Sequence, residues 1–311
     1  MPEIVISEFM DEAAVDRLRE RHDILYDPDL VDQPDALRDA LKTAKALIVR
    51  NRTKISRELL ADLSSLACVG RLGVGLDNID LDACKAKDIT VYPATGANDV
   101  AVAEYVVTAA LTLLRGAYNR SSDIAAGRWP RMEMMGGEIA GKRLGLIGYG
   151  AIARKVAARA QSFGCEIAAF DPFLPEGDAA WQSAERLDLQ ALLRSSDVIS
   201  LHVPLTETTR HLIGADAVKA MKPSAILINT ARGGVVDEAA LVEALRAGQL
   251  GGAALDVFES EPLDREAGAR FEGVPNLILT PHIAGVTKEA NVRVSSVTAD
   301  NVLNHLASLS Q

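Results

Sequence analysis

The stretch Leu144–Phe173, LGLIGYGAIARKVAARAQSFGCEIAAFDPF, decides how the chain is read. It opens on an apolar run, LGLI, of the kind expected for a strand buried on both faces. Gly148 and Gly150 follow in GYGAIA, and IARKVAARAQSF then has the apolar spacing of a helix. A glycine-rich turn lets backbone approach a pyrophosphate, and a helix N-terminus supplies amide donors and positive potential there. Ala153 stands at the third position of the pattern, where Gly or Ala lets helix pack on strand. About twenty residues on, a second apolar run ends in Asp171, where a carboxylate can accept ribose hydroxyls. Strand, turn, helix, strand and acid in this order predict a dinucleotide site. The acid repels a 2′-phosphate and Pro172 follows it, which favours NAD over NADP; Arg154 is the one loop residue pointing the other way. The turn alone leaves the chemistry open, since a bare strand–helix turn binds nothing and methyltransferases also join a glycine turn to an acidic strand end.

Outward from this stretch the chain alternates between strand-like and helix-like patterns, which predicts βαβ units and parallel sheets. Before it, EIVISEF (3–9), ALIVR (46–50), ACVGRLG (67–73) and ITVYP (89–93) read as strands. After it come DVISLHV, AILINTA, GGAALDV and NLILT, and a last helical pattern runs from Lys288 to Leu309. The segment 98–127 is helical but too long for one uninterrupted helix, so a break is expected near Arg120–Asp123. The 311 residues favour two domains, and 48% hydrophobic with only 4% aromatic residues suits sheets of Ala, Val, Leu and Ile covered by helices.

A net charge of −10 leaves no general nucleic-acid footprint, so an anionic ligand needs a local basic pocket. The three cysteines are widely spaced without a CxxC, which suggests neither a metal site nor a disulfide framework. A reducing cytoplasm is the simplest setting. The apolar stretch Ala101–Leu114 contains Glu104 and is too short for a membrane span.

Three polar residues follow apolar strands in the second half. Arg232 sits in INTARGG, Glu261 in ALDVFESEP and His282 in LILTPHIAG. Ligands of open α/β sheets bind at the carboxyl ends of the strands, so the three can converge. In 2-hydroxy acid oxidation His282 would take the hydroxyl proton, Glu261 would orient the imidazole and favour its protonated form, and Arg232 would fork onto the substrate carboxylate.

These residues carry a resemblance. The motifs GRLGVGLDNIDL, GYGAIA, HVPLTETTRHLI, NTARGGVVDEAAL, AALDVFESEP and TPHIAGVTKEA span nearly the whole chain in order. The chain resembles the D-isomer-specific 2-hydroxy acid dehydrogenases, above all their D-3-phosphoglycerate dehydrogenase branch. The resemblance implies an α/β architecture of two doubly wound parallel-sheet domains with a cleft between. A flavodoxin-like substrate domain would be made of residues 1–98 plus 282–311, and a Rossmann cofactor domain of 99–281. It implies catalysis by Arg232, Glu261 and His282, and an NAD site on Gly148, Gly150, Ala151, Ile152 and Asp171. His202, Val203, Pro204, Thr209, Thr230, Ala231, Arg232, Asp256, His282 and Ala284 would line the rest of the cofactor. The His202 side chain reads better as structural. The amides of Val74 and Gly75 would hold the substrate carboxylate, and a homodimer would form through the cofactor domain, with the loop around 120–140 reaching the partner.

The substrate tail rests on VRNRTKI. Arg50, Arg52 and Arg71, with Arg131 from the loop, are expected to bind a second anionic group. Arg52 departs from the phosphoglycerate branch, where that position is commonly small. IVISEFMDE, ALIVRNRT and GRWPR also resemble the (S)-sulfolactate dehydrogenases, a bacterial subgroup. Sulfolactate therefore ranks above 3-phosphoglycerate, and hydroxypyruvate/D-glycerate comes third. The rivals are an NAD-sensing, corepressor-like binding protein and a formate dehydrogenase, although the latter branch carries Gln where Glu261 stands.

Overall fold

A computed structural model describes residues 2–309, apart from the side chain of Asn119. They form two compact units: residues up to Asn98 with those from Val286 onward, and Asp99–Gly285. The second boundary falls after Gly285, not before His282 as expected. The physical reason is that the turn carrying His282 hydrogen-bonds to Asp256 of the second unit.

The first unit begins with β1 (Ile4–Ile6), α1 (Glu12–Arg19), β2 (Ile24–Tyr26), α2 (Pro34–Leu41), β3 (Ala46–Val49), α3 (Arg57–Leu60), β4 (Cys68–Arg71), α4 (Leu81–Ala86) and β5 (Thr90–Pro93). All strand pairs are parallel, in the order β2-β1-β3-β4-β5. This is the flavodoxin-like doubly wound order. The strand expected over residues 3–9 stops at Ile6, and Glu8 turns inward to accept the amides of Arg50, Arg52 and Thr53.

The second unit holds α5 (Asp99–Arg115), α6 (Ser121–Ala125), β6 (Arg143–Ile147), α7 (Ala151–Ser162), β7 (Glu166–Phe170), β8 (Glu185–Arg186), α8 (Leu189–Ser195), β9 (Val198–Leu201), α9 (Ala215–Ala220), β10 (Ile226–Asn229), α10 (Glu238–Arg246), β11 (Gly252–Leu255), α11 (Arg265–Gly268) and β12 (Leu277–Leu279). Its parallel sheet runs β12-β11-β10-β9-β6-β7-β8. Numbered from β6, that is the 3-2-1-4-5-6 order of dinucleotide-binding sheets with one strand added, and its direction reverses between β6 and β9. Both faces are covered. Val106, Val107 and Ala110 of α5 pack with Val156 and Ala160 of α7 on one face. Leu192, Val218, Leu241 and Leu245 from α8, α9 and α10 lie on the other. The helix break comes earlier than Arg120–Asp123: α5 ends at Arg115, and Gly116 takes the left-handed conformation (φ +62°) that stops helices.

The chain then returns to the first unit as α12 (Lys288–Ser308), which packs with α1 on one face of its sheet through Val294, Val302 and Leu306. No helix among the described residues is long and apolar enough to cross a membrane. The three cysteines are free and buried, and burial pushes the Cys68 thiol up to about 12.

Candidate active site

The loops after β6, β7, β9, β10, β11 and β12 all leave the carboxyl edge of the second sheet. After β6, Gly148 has φ +86°, and its amide donates to the Phe170 carbonyl at 2.8 Å. A Cβ on Gly148 would stand 2.5 Å from the His202 carbonyl oxygen. Gly150 is different. It caps α7 with ordinary φ of −79°, and nothing lies within 4 Å of an added Cβ. Packing does not explain this glycine, but an open cradle for a ligand does. The first-turn amides of Ala151 and Ile152 have no intrahelical acceptor there. Tyr149, between the glycines, turns inward and stacks on Trp181.

Asp171 closes this turn. Its Oδ2 accepts the Tyr149 amide at 2.9 Å, and its Oδ1 accepts those of Phe173 and Leu174 at 2.9 and 3.2 Å. Oδ2 keeps a lone pair for another donor, such as a hydroxyl. Arg154 donates from Nε to the Tyr149 carbonyl at 2.9 Å, with its guanidinium 5.8 Å from the Tyr149 ring centre.

After β9, His202 faces Ser200 Oγ across 3.0 Å, and lost hydration pushes its pKa down to about 4. Val203 is half-buried and Pro204 exposed; the Pro204 carbonyl accepts the Thr209 hydroxyl at 2.6 Å. After β10, Thr230 Oγ1 is buried without a hydrogen-bond partner. A buried polar atom of this kind fits a site whose ligand supplies the missing bond. Gly150 and Thr230 together make the residues present a fit for a dinucleotide.

Buried Asn229 shapes the arginine turn, accepting the Ala231 amide and donating to the Arg232 carbonyl at 3.0 and 2.9 Å. Arg232 donates from Nη1 to the Ala231 carbonyl at 2.6 Å. A Cβ on Gly233 would lie 1.6 Å from the Phe258 oxygen, so this turn lies against the loop that carries Glu261. The Phe258 amide in turn donates to Glu261 Oε1 at 2.9 Å. Glu261 Oε2 is 2.7 Å from His282 Nδ1. Burial raises the Glu261 pKa, but the bonds from His282 and the Phe258 amide and the charge of Arg232 outweigh it, and the net shift is downward. The pair is 34% and 46% exposed at its side chains, open enough to meet a ligand. Arg232, Glu261 and His282 thus lie in contiguous turns of one sheet edge. Asp256 does not face outward: both its oxygens are taken by Thr280 and the amides of Ile283 and Ala284, and Ala284 is buried.

In the first unit the arginines take separate partners. Arg50 donates to Asn291 Oδ1 at 2.5 Å and lies over the Phe9 ring, and burial lowers its pKa against the pull of Glu8. Arg52 is exposed and pairs with Asp32. The physical reason is that the turn before α2 brings a carboxylate beside it. Arg71 Nη1 donates to the Leu72 carbonyl at 2.9 Å, Val74 is exposed and Gly75 half-buried. Arg131 is exposed in the second unit, its amide on the Trp129 carbonyl. Glu8, Asp32, Asn229 and Tyr105 were not singled out from the sequence, although Glu8 and Asn229 lie in motifs quoted above. Among the described residues no group of three or more His, Cys, Asp or Glu can hold a metal ion.

A parallel sheet in this order, with an open glycine cradle and an arginine and a carboxylate–imidazole pair at its strand ends, defines a nicotinamide-dependent dehydrogenase. Comparison with known proteins narrows the class. The profile of the D-isomer specific 2-hydroxyacid dehydrogenase NAD-binding domain matches residues 107–284. The chain is 55% identical over 303 residues to the (S)-sulfolactate dehydrogenase of Chromohalobacter salexigens, covering 97% of each chain. It is 39% identical over 274 residues to the hydroxypyruvate reductase of Thermotoga maritima, covering 88% and 89%. The D-lactate dehydrogenase of Aquifex aeolicus, solved with NAD and lactic acid, matches with a TM-score of 0.87 and 29% identity, over 98% of this chain and 96% of that one. The chain belongs to the D-isomer specific 2-hydroxyacid dehydrogenase family and is an NAD-dependent oxidoreductase.

Proposed function

We propose that the chain interconverts (S)-sulfolactate and sulfopyruvate, a D-configured 2-hydroxy acid with an anionic tail and its 2-keto acid. The observation that carries this choice is the 55% identity with a sulfolactate dehydrogenase along 97% of both chains. Gly150, the Ala151 and Ile152 amides, Asp171 and Thr230 would hold NAD, which when bound would supply the acceptor for hydride. His282 moves the proton at the substrate oxygen. Its Nδ1 is engaged by Glu261, which leaves Nε2 for the substrate and fixes the ring. Arg232 holds the substrate carboxylate and polarises the carbonyl. The Val74 and Gly75 amides are the further carboxylate donors, and Arg50 and Arg71 the candidates for the sulfonate.

A second copy of the chain is the proposed partner, because Tyr118, Trp129, Met132 and Met135 are 71, 74, 76 and 68% exposed within one segment of the second unit. Large apolar side chains exposed in one segment are the kind of surface that association covers. Three free, buried thiols suit a reducing cytoplasm.

The test is NADH oxidation by the purified chain with sulfopyruvate, 3-phosphohydroxypyruvate and hydroxypyruvate at matched concentrations. The highest kcat/KM is expected for sulfopyruvate. A preference for either other acid overturns the choice of tail, and no turnover with any of them, despite tight NADH binding, overturns the substrate class. His282→Ala should abolish turnover and leave NADH binding intact; near-normal turnover would remove the histidine from proton transfer.

A further inference from the structure

His282 is presented by a turn that hangs on one residue. Asp256, 1% exposed just after β11, accepts the Thr280 hydroxyl at 2.6 Å and the Ile283 amide at 2.8 Å through Oδ1, and the Ala284 amide at 2.8 Å through Oδ2. Its main-chain carbonyl accepts the His282 amide at 2.8 Å. His282 itself has φ +54°, in the left-handed region that costs a residue with a Cβ. Its conformation is therefore imposed by these bonds and not by its own preference.

One more group joins from a different element. The Tyr105 hydroxyl of α5 is 2.6 Å from Thr280 Oγ1. Proton counting fixes the direction of this bond. Thr280 has one hydroxyl proton and gives it to Asp256, so Tyr105 must donate to the Thr280 oxygen. Burial raises the Tyr105 pKa, the bond to Thr280 opposes the shift and the Asp256 charge adds to it, so the phenol keeps its proton at working pH. Its ring packs on the apolar cluster between α5 and α7, so the donor enters from a rigid support.

We propose that Tyr105 is a positioning residue for His282. Its phenol orients the Thr280 hydroxyl toward Asp256, and so fixes the turn that sets His282 against Glu261. The proposal rests on His282 as the proton carrier. A loosened turn lengthens the 2.7 Å contact with Glu261, and an imidazolium farther from a carboxylate is less favoured.

Tyr105→Phe removes one oxygen and keeps the ring. The assay is NADH oxidation across pH with whichever of sulfopyruvate, 3-phosphohydroxypyruvate or hydroxypyruvate the wild-type chain turns over fastest. The NADH Kd and the Tm are measured alongside. The expected result is a kcat lower by about three- to tenfold, the scale of one hydrogen bond. KM and NADH Kd should hold, and the high-pH limb of the reduction should move to lower pH. An unchanged kcat with an unmoved limb overturns the proposal, whether or not Tm falls. His282→Asn is run beside it. If that variant is inactive and Tyr105→Phe behaves as wild type, only the role of Tyr105 fails. If His282→Asn still turns over, the proton-carrier reading fails and takes the proposal with it.

Discussion

Replacing each glycine of the phosphate turn by alanine separates cofactor binding from folding. At Gly150 the backbone is extended, with φ −79° and ψ −164°, and no atom lies within 4 Å of a new Cβ. Alanine at an N-cap is worse than glycine by about 0.5–1 kcal/mol, while its stiffer unfolded chain returns about 0.4–1 kcal/mol. The two nearly cancel, so Tm should move by no more than about 3 °C. The new methyl occupies the cradle and holds a pyrophosphate off the Ala151 and Ile152 amides. Two charge-assisted bonds at about 1.5–3 kcal/mol each are then lost, and NADH binding weakens roughly 10²- to 10⁴-fold. Gly148→Ala should do the reverse. A left-handed alanine costs about 1 kcal/mol, and relieving the 2.5 Å approach to the His202 oxygen about 1–3 kcal/mol more. For a unit of this size that lowers Tm by roughly 5–15 °C. Thermal melts and NADH fluorescence titrations of both variants read the two effects. If Gly150→Ala binds NADH within threefold of wild type, the pyrophosphate does not lie over this cradle. If Gly148→Ala melts like wild type, the account of the turn is wrong.

Two further outcomes follow from the titrating groups. Glu261→Gln keeps an acceptor for the Phe258 amide but removes the charge facing His282. We expect the kcat of keto acid reduction to fall at least tenfold, its high-pH limb to move down, and NADH affinity to stay; a pH–rate profile identical to wild type would refute the pairing. His202 has its pKa lowered from 6.5 to about 4, so the unfolded chain takes up a proton between these values that the folded chain refuses. The stability that this residue contributes is present above pH 6.5 and is lost as pH falls to about 4, by up to about 3 kcal/mol. His202→Gln should flatten that stretch of the Tm–pH curve, and an unaltered slope would show that the ring is solvated.

What could be read in advance was what recurs with a period or sits at a fixed distance. Parallel strands buried on both faces are continuous apolar runs, so six strands of the second sheet stood out, and the glycine–acid spacing around Gly148 and Asp171 located the turn proposed for the cofactor. The short edge strands β2 and β8 lack that signature. β2 is three half-exposed residues and β8 two exposed ones, and neither was picked out. The break after α5 was expected at the polar cluster Arg120–Asp123. It comes at Gly116 because a residue without a Cβ reverses handedness more cheaply than polar residues unwind a helix.

The candidate site divides along the same line. Arg232, Glu261 and His282 were legible because each is a reactive side chain in a turn after an apolar run. The groups that hold them were not, because their role lies in contacts across long separations. Glu8 secures the Arg50–Thr53 backbone from 42 residues away, and Tyr105 reaches Thr280 across 175. The family resemblance alone made Asp256 a cofactor contact. Its carboxylate is turned to the amides of the histidine turn instead, since a left-handed His282 leaves those amides without any local acceptor. Without that carboxylate the Ile283 and Ala284 amides would lack an acceptor, so the aspartate is committed to the turn. A substitution at Asp256 should therefore disturb the His282 turn before it touches the cofactor.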